Sequence, residues 1–98
     1  MSIIISMKAK LITYNLSKLD QYHKVLVNRA LFGYMDNSNK GSYHYERKGV
    51  IADIPHFKLL KGAIIVKSRD MKKISTILNK YRAGYFVLDV LIKPSMLH

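Results

Sequence analysis

The side chains best suited to chemistry gather in the middle of the chain: Asp36, Tyr43, His44, Tyr45, Glu46, Arg47, Lys48, Asp53 and His56. Three constellations can be drawn from them. In the first, Glu46 and Lys48 stand two residues apart on a strand and so share a face, with Asp36 upstream. Two carboxylates can hold a divalent ion, and the ammonium can orient an attacking water. Three residues are a short pattern, and six acids hold a metal poorly against a large positive excess, so a cross-strand ion pair is the simpler reading. In the second, His44 and His56 serve as general base and acid of a metal-independent ribonuclease. Tyr43 or Tyr45 assists them, and Arg47 or Lys48 steadies the charged phosphorane. In the third, His44 and His56 join Asp36, Glu46 or Asp53 around a transition metal. The chain has no Cys and no H-x-H or H-x3-H spacing to support that. No metal or cofactor is expected.

The same residues have a non-catalytic use. Tyr34, Tyr43, Tyr45 and Phe57 are flat rings that can stack on unpaired bases, and Arg47, Lys48, Lys58 and Lys61 can meet phosphates. Along a strand, Tyr43, Tyr45 and Arg47 share one face, and His44, Glu46 and Lys48 the other. The charge balance favours this reading. The formal net charge is +11 over 98 residues. Residues 58–82 hold eight Lys/Arg against one Asp, whereas residues 36–57 and 83–98 are each neutral. A field of that sign concentrates phosphate polymers.

Most of that excess sits on and just before one amphipathic segment, Arg69 to Arg82. At about 100° per residue, Met71, Ile74, Ile77, Leu78 and Tyr81 fall within roughly 120° of arc. Arg69, Lys72, Lys73, Thr76 and Lys80 lie nearly opposite. The spacing predicts a helix, N-capped by Ser68 with Asp70 at its positive end, and stopped by Gly84 at the C′ position.

The elements around it follow in order. Lys8–Leu16 is predicted as a strand. A helix from Ser17, its N-cap, to about Leu31 should bury Leu19, Tyr22, Leu26 and Ala30, with Asp20 completing a capping box and His23 and Val27 at the edge of the core. Gly33 is placed to cap it. Residues 36–42 are turn chemistry, which predicts a hairpin or loop leading into a strand at Tyr43–Lys48. Residues 50–60 read as a connection anchored by Ile51, Ile54, Phe57, Leu59 and Leu60. Strands at 62–67 and 85–92 complete the set.

The expected fold class is α+β: a ferredoxin-like βαββαβ sandwich, an antiparallel sheet with two helices on one face and an extra hairpin or loop at 34–60. Residues 1–7 are read as a disordered tail and 8–98 as one domain. The last strand is apolar on both faces, so either the 34–60 segment or a second copy should cover the sheet, and a homodimer is favoured. No run of residues is long and apolar enough for a membrane span, and a cytoplasmic location is expected.

The expected function is nucleic-acid binding, to RNA or DNA, without catalysis. The expected contacts are Tyr43, Tyr45, Arg47, Lys48, Lys58, Lys61, Arg69, Lys72, Lys73 and Lys80. The alternatives are the small ribonuclease, with His44, His56, Tyr45, Arg47 and Lys48, and a scaffold subunit of a ribonucleoprotein.

Overall fold

Alternating side chains make Met7–Asn15 a nine-residue strand, β1, with Ile12 and Tyr14 on one face and Ala9 and Leu11 on the other. The computed structural model describes residues 6–38 and 43–98. Of the expected N-terminal tail, residues 1–5 lie outside the described residues, and Met7 already pairs in the sheet. After β1 come α1 (Gln21–Phe32), the strands β2 (Gly33–Ser38) and β3 (Tyr43–Lys48), and a 3₁₀ turn at Val50–Asp53. Then follow β4 (His56–Leu60), β5 (Ala63–Lys67), α2 (Met71–Lys80) and β6 (Gly84–Ile92).

The architecture is α+β. A four-stranded antiparallel sheet runs in the order β4-β5-β1-β6, and β2 and β3 form a separate two-stranded sheet. The strand after the central loop, 43–48, was expected in the main sheet. It pairs only with β2, and β4, within a segment read as a connection, takes the place beside β5. Of the five anchors assigned to that segment, Ile51 and Ile54 are buried, but Leu59 and Leu60 are exposed at a register irregularity in β4.

Both helices pack on one face of the main sheet. Ile12, Ile64 and Val66 from the sheet meet Val27 and Leu31 of α1 and Ile74 and Leu78 of α2, with Ile51, Ile54 and Ala83 closing the cluster. Each large side chain fully buried here contributes about 1.5–3 kcal/mol. On the opposite face Ala9, Ile65 and Ile92 form a smaller cluster, covered by Met96 and Leu97 as the C-terminus folds back. His98 reaches the outer edge of β4, where its backbone exchanges two hydrogen bonds with His56 (3.0 and 3.1 Å). Among the described residues, the 34–60 segment adds only Phe57 to this cover.

Three local expectations are corrected. First, α1 begins at Gln21, and Asp20, not Ser17, is its N-cap. The Asp20 carboxylate accepts the backbone N–H of His23 at 2.8 Å and lies 2.7 Å from His23 Nδ1. The helix also turns Val27 and Leu31 inward and leaves Tyr22 68% exposed; His23 is a surface partner of the cap and not a core-edge residue. Second, Ser68–Asp70 form a 3₁₀ turn, and neither residue caps α2 through its side chain. Third, α2 ends in a Schellman motif centred on Arg82, not on Gly84. The Ala83 N–H bonds the Leu78 carbonyl (2.9 Å) and the Arg82 N–H bonds the Asn79 carbonyl (3.1 Å).

Gly33 does take a positive φ, +82°, and its N–H bonds the Arg29 carbonyl. At the hairpin root it crosses Gly49, where a Cβ would lie 2.3 Å from the Leu31 carbonyl oxygen and 2.4 Å from the Gly33 nitrogen. The hairpin therefore leaves the body where two glycine backbones touch. Asp36, Asn37 and Ser38, expected in its turn, belong to β2; the rest of that turn, 39–42, lies outside the described residues.

Candidate nucleic-acid interface

The predicted contact residues are dispersed over three places. Arg69, Lys72, Lys73 and Lys80 are exposed on α2 or the turn before it, while Ile74, Ser75 and Leu78 are buried on the opposite side. Two of these four cations are compensated. Asp70, buried beneath them, stands 3.4 Å from Lys73 Nζ and 3.9 Å from Arg69 Nε. The second place is the hairpin. There Tyr45 is paired with Asp36 and Arg47 with Tyr34, which puts these four on one face and Glu46 with Met35 on the other. Arg47 donates from Nε to Asp36 at 3.2 Å, and its guanidinium lies 5.6 Å from the centre of the Tyr45 ring. Lys48 is exposed at the hairpin root, and the side chains of Tyr43 and His44 lie outside the described part of the structure.

The third place is new. A line of clefts follows α1 along the β4 side, turns round the end of the sheet where β1 stops and β6 starts, and finishes at the C-terminus of α2. The first cleft holds Arg29, Lys58 and Lys61, with Phe32 and Asn28 between them. It shares Tyr14, Asn28 and Lys61 with the second, which adds Lys24. That one shares Asn15 and Ser17 with the third, a cleft of about 590 Å³ containing Lys18 and Arg82. The fourth shares Lys18 and Arg82 and adds Lys80. Seven cations thus line one continuous path, against a single carboxylate, Asp20, which His23 already engages.

Among the described residues, none of these seven forms an ion pair. Three rest on rings instead: Lys58 over Phe32 (4.4 Å), Arg29 over Tyr34 (4.4 Å) and Lys80 over Tyr81 (5.4 Å). A cation on a ring keeps its charge for an incoming phosphate, whereas one beside a carboxylate has largely spent it. Tyr14, whose hydroxyl pKa burial pushes up, stays neutral on the path.

Lys58, Lys61 and Lys80 were expected contacts and lie on this path. Lys18, Lys24, Arg29 and Arg82 were missed. The outward spacing of Lys24 and Asn28 on α1 was a signal for part of it. Nothing in the sequence brings those residues to Lys58 and Lys61, 30 or more positions away.

The constellation of Asp36, Glu46 and Lys48 does not assemble, and the side chain of His44, which the other two need, lies outside the described residues. Asp36 and Glu46 occupy opposite faces of the hairpin, so Asp36 cannot join Glu46 and Lys48 around one ion. His56 sits in the main sheet with Nδ1 2.8 Å from the Ile54 carbonyl oxygen, while His44 belongs to the hairpin sheet. Among the described residues no three His, Asp or Glu side chains cluster, and no helix is long and apolar enough to cross a membrane. No family model matches the chain, and neither a curated protein nor a solved structure matches it.

Proposed function

We propose that the protein binds nucleic acid, RNA or DNA, through the phosphate backbone, along the cationic path from Arg29 to Lys80. The single observation that carries the reading is seven cations that form no ion pair among the described residues, on one continuous groove lined by one carboxylate. Affinity comes mainly from counterion release, with little readout of bases. Lys72, exposed about two helical turns before Lys80, extends the path along α2, and the rings and cations of the hairpin widen it. A ribonuclease is less well supported, because His56 is turned to a backbone carbonyl and lies on a different sheet from His44.

We read the scaffold as a ferredoxin-like sandwich with the β2–β3 hairpin inserted after α1; what supports this is the order β4-β5-β1-β6 with α1 and α2 on one face. A second copy is proposed to add to the sheet at β6, its outer strand, which exposes Leu88 and Leu91 and carries one charge in nine residues.

The test is a titration of labelled oligonucleotide at several salt concentrations. Neutralising four to six phosphates gives a slope of log K against log salt of about −3 to −5. Lys24→Glu with Lys61→Glu, both off the buried core, should lower affinity by about tenfold or more with an unchanged melting temperature. A flat salt dependence would remove the electrostatic mechanism. Cleavage of labelled RNA that persists in EDTA and disappears with His56→Ala would replace binding by catalysis.

A further inference from the structure

We propose that the 590 Å³ cleft in this groove is a nucleotide pocket, taking one unpaired nucleoside phosphate with its phosphate on Arg82 and Lys18 and its base on Phe86. The cleft opens between the β1–α1 and α2–β6 connections and falls within the range of about 300–1,000 Å³ typical of small-ligand sites. The inference rests on the backbone-binding groove and gives it a ligand class.

Two residues in this cleft run against what the fold alone would select. Arg82 is the C′ residue of a Schellman motif and adopts φ +59°. That is the position where glycine is strongly preferred, because a Cβ crowds the following carbonyl. Two positions on, Gly84 begins β6 without a positive φ, and a Cβ built on it would meet nothing within 4 Å. Glycine weakens a strand and is commonly found where another molecule comes close to the backbone. The fold would be served better by glycine at 82 and a side chain at 84. The chain has the reverse, and both residues line the same cleft.

The exchange makes chemical sense for a nucleotide. A guanidinium grips phosphate oxygens in a forked geometry, and Lys18 adds a second cation across the opening. Phe86, 76% exposed, offers a ring for stacking. The bare backbone at Gly84 leaves room for the sugar beside that ring. Tyr85 is held in place by its hydroxyl on Asn79 Oδ1 at 3.1 Å.

Gly84→Val tests this directly, since it fills the cleft with a residue favoured in strands and needs no rearrangement. The intact variant should melt no lower than wild type. It should lose roughly tenfold in affinity for a ten-nucleotide single strand, the worth of one stacked base, while heparin binding stays within about twofold. Arg82→Gly should melt higher and lose single-strand affinity several-fold, and Arg82→Lys should retain part of it. Titration of adenosine monophosphate against inorganic phosphate, followed by NMR, separates the sources of the ligand. Saturation by the nucleotide and not by phosphate indicates a free nucleotide; binding only of the oligonucleotide indicates a nucleotide within a strand. Single-strand affinity unchanged in both Gly84→Val and Arg82→Gly would overturn the pocket and leave the groove standing. Loss of heparin and oligonucleotide binding alike from the wild-type protein would overturn both.

Discussion

Arg82 sets side-chain chemistry against backbone preference. A non-glycine residue in the left-handed region costs about 1–2 kcal/mol, and Arg82 stands there at φ +59°. Its replacement by glycine should recover about 1 kcal/mol, less some unfolded-state entropy, and raise the melting temperature by several degrees. Asp20 is the opposite case, a side chain that serves the backbone. Its carboxyl pKa is held below the usual 3.8, first by the hydrogen bond from the His23 backbone N–H and then by the His23 ring. The folded state therefore binds the proton less readily than the unfolded chain does. The stabilisation is complete above the ordinary carboxylate range and is lost as pH falls through the lowered value. Asp20→Ala is expected to lower the melting temperature by a few degrees at pH 7, and the gap from wild type should close in acid. Thermal melts of both proteins across that range check it.

At the scale of elements, the hairpin depends on a contact that tolerates no side chain. Gly33 and Gly49 cross at its root, and a methyl at Gly49 would drive into the Leu31 carbonyl and the Gly33 nitrogen, both backbone atoms. Gly49→Ala should cost about 3 kcal/mol, at the upper end of overpacking effects, as denaturant melts would measure. Helix α2 shows that an amphipathic reading fixes which face carries cations but not how many of them are free of carboxylates. Its apolar arc is buried and its cations are exposed, as the 3.6-residue period demands. The buried Asp70 nevertheless draws on Lys73 and Arg69, so that ridge carries less free charge than its composition implies. The pair Lys10–Asp89, inside the β1–β6 ladder, is likewise a cross-strand partnership, which lowers the Asp89 pKa first through the Lys10 hydrogen bond.

For the molecule as a whole, charge and apolar surface are segregated. The cationic groove occupies the helix side and one end of the sheet, while β6 beyond Phe86 presents Leu88 and Leu91 with one carboxylate and no cation. Two copies carrying +11 each repel one another over most of their surface, and β6 is where that repulsion is least. If β6 pairs with β6 of a second copy, the melting temperature should rise with protein concentration and with added salt. Leu88→Lys should abolish the concentration dependence. A melting temperature constant over a hundredfold dilution, with a monomer mass in sedimentation, would reject the pairing.

Local periodicity and turn chemistry were sufficient to determine both helices, four of the six strands, the cation-bearing side of α2 and the positive charge, because these depend on neighbours three or four positions apart. They could not determine that 56–60 pairs as a strand, because its partner, β5, and not its own composition makes it one. Nor could they place Asp20 rather than Ser17 at the cap, or tell whether Val27 or Tyr22 finds a core to enter. The groove was decided by tertiary structure alone. Lys18 and Lys24 reach Lys58 and Lys61, and Arg82, only when the antiparallel sheet brings the end of β1 between the start of β5 and the start of β6. Those distances in sequence are closed by packing, and no pattern along the chain encodes them.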